Sequence, residues 1–244
     1  MPMLIASYLI ISFLVASTAS LTPILFSKEP SNTKYRNSMK KLCLTISIMF
    51  IFSILGLLLL SSKFGYHHNL LSYAMVVYFL LSIGFIDQKL NIIPNKIVIP
   101  LILFLLLQHI FNLNINLLNI LWESGNITND IINAILTSLG VFLFLYSINL
   151  TIPKSIGYGD IKYSILISTF LGFPLAIIAL IIGVISCAIY AHIHVAFAKE
   201  KILKLPLGPY LSFGTFLSIL IGYELLNYYL ILQEKVTILT NTIT

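Results

Sequence analysis

The sequence predicts an all-α fold, a polytopic membrane helical bundle of about eight transmembrane helices, and three observations predict it. Of 244 residues, 59% are hydrophobic and only 9% charged, where a water-soluble domain carries about 25% charged residues. The mean hydropathy is +1.01. The apolar residues fall in successive runs close to the roughly 20 residues that one helix needs to cross hydrocarbon. Such a chain leaves room only for short loops, which argues against nucleic-acid binding despite the net charge of +6. The basic excess reads instead as cytoplasmic loops beside anionic membrane lipid.

The runs justify themselves in order. The first, 3–26, has no basic segment before it and exceeds a signal-peptide core, so it is expected to persist as a helix although Ala16, Ser17 and Ala19 imitate a cleavage site. The second is 42–61, and the third, 70–86, ends against Asp87. The fourth, 96–113, follows Pro94, whose missing N–H is harmless in a first helical turn. The fifth is 130–150. The sixth, 161–173, is short for a full span and meets the seventh, 174–197, at Gly172-Phe173-Pro174, so the pair reads as two tilted helices or a re-entrant hairpin. The eighth is 209–231.

Charge orients the runs. Lys28, Lys34, Arg36, Lys40 and Lys41 share the first loop, which makes that side cytoplasmic. Lys89, Lys96, Lys154, Lys162, Lys199, Lys201 and Lys204 then fall on the same side, and only Lys63 and Lys235 oppose them. Both cysteines, Cys43 and Cys187, sit in apolar runs, where they act as small hydrophobes and form neither a disulfide framework nor a CxxC zinc site.

Acids at membrane depth are costly and mark function. Of the eight, Glu29, Glu123, Asp130, Glu200 and Glu234 are expected in loops or at solvated ends. Asp87 closes the third run and Asp160 opens the sixth, both at the cytoplasmic level. Two carboxylates at one level can share a water, one as base and its protonated partner as acid, because like charges that close do not both ionise easily. That is aspartyl-protease chemistry. Gly157 and Gly159, having no Cβ, are expected to permit φ > 0 and close approach of a peptide backbone to Asp160. The competing account of Asp160 is a helix N-cap.

Three strings carry a resemblance. Asp87-Gln88-Lys89-Leu90-Asn91-Ile92-Ile93-Pro94-Asn95, Gly157-Tyr158-Gly159-Asp160-Ile161-Lys162 and Leu205-Pro206-Leu207-Gly208-Pro209-Tyr210-Leu211 resemble, in order, the motifs of type IV prepilin peptidases, bacterial Gly-x-Gly-Asp membrane aspartyl proteases. The third string has Leu207 where the family has Phe. The resemblance implies cleavage of prepilin or type II secretion pseudopilin leaders after a Gly, at the cytoplasmic face of a bacterial inner membrane. It implies that Asp87 and Asp160 activate the water and protonate the leaving amine, with Gly157, Gly159, Lys89, Lys162, Pro94, Pro206, Gly208 and Pro209 as loop and substrate support. It calls for no metal or cofactor at the aspartates. The expected division is 1–69, N-terminal helices around a short basic cytoplasmic loop, and 70–235, the aspartyl peptidase membrane domain. Bifunctional members carry a large insert with paired CxxC zinc ligands and N-methylate the new amino terminus; the loop here runs only from Ser27 to about Lys41, which points to a peptidase-only member.

The remaining polar residues have plainer readings. Lys89 and Lys162 each follow an aspartate by two residues, a spacing that does not face it on a helix, so snorkelling to headgroups competes with holding a carboxylate ionised. His192 and His194 lack the i, i+4 spacing of helical zinc sites. Glu224 lies within the last run beside Tyr223, Tyr228 and Tyr229, as in an interfacial aromatic belt. The rival functions are a transporter with a proton relay, which wants acids spread through the membrane depth, and a catalytically silent homologue.

Overall fold

Hydrocarbon offers no partner to backbone N–H and C=O groups, so apolar runs must satisfy them internally as helices. The computed structural model describes residues 70–110, 127–153, 155–198 and 205–243, with isolated positions at 55, 56, 59 and 62, so the first two expected spans fall almost wholly outside the described residues. The described elements are helical throughout: α1 (Leu70–Leu90), α2 (Asn95–Ile110), α3 (Ile127–Thr151), α4 (Tyr158–Leu171), α5 (Leu175–Ala198) and α6 (Gly208–Ile243). Among the described residues, three helical stretches are long and apolar enough to cross a membrane: Ile131–Thr151, Leu175–Phe197 and Gly208–Lys235. The fold class stands as all-α, and the count of eight spans is not confirmed. Several boundaries differ from expectation: α1 runs on to Leu90, past Asp87, and α4 starts at Tyr158, before Asp160. α3 starts early enough to take in Asp130, and α6 runs on to Ile243 past Glu234, because a helix continues into the polar layer after its apolar stretch ends.

The centre of the bundle is α4. Its 14 residues span only about 21 Å, against a hydrocarbon layer of roughly 30 Å. Ile161, Leu166, Ile167, Phe170 and Leu171 are all buried. Helices α2, α3, α5 and α6 pack around them, while α1 lies along α6. The core joins Val76, Leu80 and Ile83 of α1 to Val98, Leu101 and Leu105 of α2 and to Leu211 and Ile219 of α6. Outward faces are apolar instead, with Leu139, Leu143 and Phe144 on α3 and Ile181, Ile185 and Ile189 on α5 exposed as lipid would require. The inside holds small hydroxyls that bond their own helix: Ser168 Oγ donates to the Ser164 carbonyl at 2.8 Å and Thr215 Oγ1 to the Leu211 carbonyl at 2.7 Å.

Helices α5 and α6 touch backbone to backbone. A Cβ at Gly214 would collide with the Ala179 carbonyl and stand 2.6 Å from the Gly183 nitrogen, so only glycine fits this crossing. The segment 161–197 folds as two helices joined at 172–174. Gly172 ends α4 with φ 63°, and its N–H returns to the Ser168 carbonyl. Asn133 of α3 holds the turn by both halves of its amide, accepting from the Phe173 N–H at 2.9 Å and donating to the Phe173 carbonyl at 3.0 Å.

Candidate active site

Asp87 lies in the last turn of α1, 5% exposed. Beyond it Asn91 adopts φ 51°, a left-handed conformation that Asn tolerates, and its N–H bonds the Asp87 carbonyl at 2.8 Å as the chain leaves the helix. The Asp87 side chain meets the start of α6. Gly208 is the first residue of that helix, so its N–H has no partner within the helix and points from the positive end of the dipole. It donates to Asp87 Oδ2 at 2.9 Å. A Cβ on Gly208 would stand 2.8 Å from that oxygen and 2.9 Å from Asp87 Cβ, so the contact requires glycine. Leu207 carries the turn, its carbonyl accepting from the N–H groups of Tyr210 and Leu211 at 3.1 Å each. Pro206 and Pro209 flank Gly208 and are half-buried.

Asp160 lies in the first turn of α4, and two sequence expectations about it are corrected. The N-cap is Gly157, with φ −65° and ψ 138° and no side-chain cap, so Asp160 is the third helical residue and not the cap. Gly157 is therefore extended, and Gly172 has the positive φ among the described glycines. The small residues serve space instead. A Cβ at Gly157 would stand 2.8 Å from Asp160 Oδ2, and one at Gly159 would stand 3.2 Å from Ile93 Cβ. Pro94 also sits one position earlier than expected, outside α2, where its carbonyl accepts from the Ile97 and Val98 N–H groups at 3.0 and 3.1 Å.

Asn149 shapes the approach to this turn. Its Oδ1 accepts the Ile156 N–H at 2.9 Å and its Nδ2 donates to the Ile156 carbonyl at 2.9 Å, fixing the residue before Gly157. Ser155 Oγ adds a third bond to Asn149 Oδ1 at 3.0 Å.

Both aspartates stand just outside the runs 70–86 and 161–173, at one end of the bundle. Burial, and secondarily the charge of Asp87, push the Asp160 carboxyl up from its ordinary 3.8 to about 6. Burial also raises Asp87, opposed by the Gly208 N–H, which favours its ionised form. Two carboxyls within electrostatic reach, one holding a hydrogen bond that stabilises charge and the other holding a proton at mild pH, can work as a base and an acid.

Other expected residues sit as follows. Lys162 Nζ reaches across to α2 and donates to Asn95 Oδ1 at 3.2 Å, tying the start of α4 to the start of α2. The Lys89 side chain lies outside the described residues. Cys187 of α5, half-buried, lies within electrostatic reach of Asp160. His194 packs its ring 5.9 Å from Tyr190, and among the described residues no group of His, Cys, Asp or Glu is gathered to hold a metal. Sequence reasoning passed over Asn149, Tyr163 and Ser212. The signal for Tyr163 was a phenol three residues after Asp160 inside an apolar run; a lone Ser or Asn gives no comparable sign.

Comparison with known proteins adds three findings. Residues 74–192 match the family described as the type IV leader peptidase family. The chain is 26% identical over 176 residues to the prepilin leader peptidase/N-methyltransferase of Legionella pneumophila, covering 70% of this chain and 56% of that protein. It is 27% identical over 165 residues to the protein of the same name from Dichelobacter nodosus, covering 66% of this chain and 53% of that protein. The chain thus spans about half the length of the curated relatives it matches. No solved structure gives a match.

Proposed function

We propose, from the match of residues 74–192 to the type IV leader peptidase family, that this chain is a membrane aspartic endopeptidase that removes the leader of type IV prepilins or type II secretion pseudopilins. Asp87 and Asp160 are the catalytic pair. The observation that carries the reading is their pairing: 73 residues apart in sequence, they lie in the last turn of α1 and the first turn of α4, and the charge of Asp87 acts on Asp160. A proton relay would instead need acids distributed through the membrane depth.

The roles follow from their surroundings. Asp87, whose carboxylate the Gly208 N–H stabilises, takes a proton from water as the oxygen attacks the carbonyl of the leader Gly. Asp160, protonated at mild pH, first hydrogen-bonds the developing oxyanion. As the C–N bond breaks, a carboxyl proton of the pair passes to the leaving amine, and the pair again holds one proton between its two acids. The lysine bias supports a cytoplasmic orientation for this end of the bundle; the membrane in this reading is a bacterial inner membrane, with 70–235 as the peptidase unit and 1–69 as N-terminal helices. The short loop after Ser27 and the absence of paired CxxC motifs support cleavage without N-methylation.

The test is leader cleavage. Membranes holding wild type, Asp87→Asn or Asp160→Asn are mixed with a prepilin-like peptide carrying a basic leader, a Gly and an apolar helix, and the products are weighed. Cleavage after Gly that vanishes in both variants is expected. An added methyl mass overturns the peptidase-only reading, and a folded wild type that cleaves no pilin of its host overturns the peptidase reading.

A further inference from the structure

Beneath the aspartates, α1, α4 and α6 meet on two buried hydroxyls. Tyr163 follows Asp160 by three residues and so shares its face of α4. Its ring is fully buried, with the phenol oxygen 2.8 Å from the Leu80 carbonyl and 2.7 Å from Ser212 Oγ. Leu80 precedes Asp87 by seven residues, about two turns of α1. Ser212 follows Gly208 by about one turn of α6, and its Oγ is 2.9 Å from both the Leu80 and the Gly208 carbonyl oxygens. Two hydroxyl protons serve this set. Whichever hydroxyl donates to the other, the second proton goes to a carbonyl of α1 or α6. Gly84 makes room for the junction: a Cβ there would collide with Ser212 Oγ and stand 3.1 Å from Pro209 Cα and 3.2 Å from the Gly208 carbonyl.

Each helix in the junction carries one part of the site. α1 supplies Asp87, α4 supplies Asp160 and α6 supplies the Gly208 N–H. We propose that Tyr163 and Ser212 are positioning residues, a hydroxyl clamp that sets the axial register of these three helices and with it the separation of the carboxyls and the reach of the Gly208 N–H. The inference rests on the aspartic-peptidase reading above. Neither hydroxyl touches the reacting atoms; they act through the helices they join. A phenol at this depth is costly unless bonded, and here its bonds run to the two helices that complete the site.

The test uses the full chain in lipid, as wild type, Tyr163→Phe, Ser212→Ala and the double variant, each checked for folded yield. Each single variant is expected to lower kcat about tenfold with KM within about twofold, and the double variant to be little worse than either, because the pair acts as a unit. The alkaline limb of the pH profile is expected to move. Among the described side chains, the titratable groups facing Asp160 from packed helices are Asp87 on α1 and Cys187 on α5, with Tyr210 of α6 beyond Cys187 and Lys162 turned to Asn95. Infrared titration of the protonated carboxyl band, assigned by its loss in Asp160→Asn, reads the same midpoint without substrate. Ser212→Ala carries the test if Tyr163→Phe does not fold. Wild-type kcat and midpoint in folded variants, or losses that multiply in the double variant, overturn the clamp. If wild type cleaves nothing, the peptidase reading fails, and the infrared midpoint still decides the clamp: an unmoved midpoint overturns it.

Discussion

Asp160→Asn is expected to make the protein more stable at neutral pH while abolishing cleavage. Burial and the nearby Asp87 raise the Asp160 carboxyl from 3.8 to about 6. Its folded-state value therefore exceeds its unfolded one, so the folded state binds the proton more tightly. That contribution to stability is fully present below the unfolded value and is lost as pH rises through about 6. At about 1.4 kcal/mol per tenfold difference in acidity, an ionised Asp160 costs up to about 3 kcal/mol, an upper figure because the side chain is partly exposed. Asparagine has nothing to ionise and keeps nearly the same shape. The assay is unfolding in detergent, by heat or denaturant, at about pH 4 and about pH 7.5. The variant should exceed wild type at the higher pH, and the gap should close at the lower. A variant less stable than wild type at neutral pH, or a gap that does not change with pH, would refute an ionised, desolvated Asp160.

Gly208→Ala should cut cleavage about 10- to 100-fold, the worth of a hydrogen bond to a charged group, because its Cβ would press on Asp87; kcat against a fixed leader peptide checks it. Gly157→Ala should cost less than about 1 kcal/mol, since its Cβ meets only the mobile end of Asp160, yet lower kcat about tenfold or more by turning that carboxyl away. Melting and turnover measured on one preparation separate the two effects. Cleavage by wild type should decline as pH rises above about 6, where Asp160 loses its proton, and also at low pH as Asp87 gains one; a pH-rate profile reads both limbs.

The apolar runs foretold the helices because lipid leaves the backbone no other choice: each of the six later runs overlaps a described helix. Asp87 and Asp160 stood out for the same reason, as acids where acids are expensive. What the sequence hid was lateral. Nothing in Leu205-Pro206-Leu207-Gly208-Pro209 indicates that the Gly208 N–H bonds a carboxylate 121 residues earlier, because a helix start looks alike whatever it faces. The glycines near Asp160 suggested backbone freedom, whereas φ −65° at Gly157 shows that missing volume is what the site uses. Small hydroxyls inside apolar runs, such as Ser212, look the same in sequence whether they bond their own helix or join three. Hydropathy fixes depth, and only packing fixes neighbours.

The dependence of Asp87 on the first residue of α6 has a consequence for biosynthesis. α1 and α4 enter the membrane before α6, so a growing chain holds both acids well before it holds the donor that settles one of them. On the proposed reading, the unfinished enzyme is inert while its own loops and its neighbours at the insertion machinery are most vulnerable. Competence waits on α6, so that the insertion of this helix is itself an activating event.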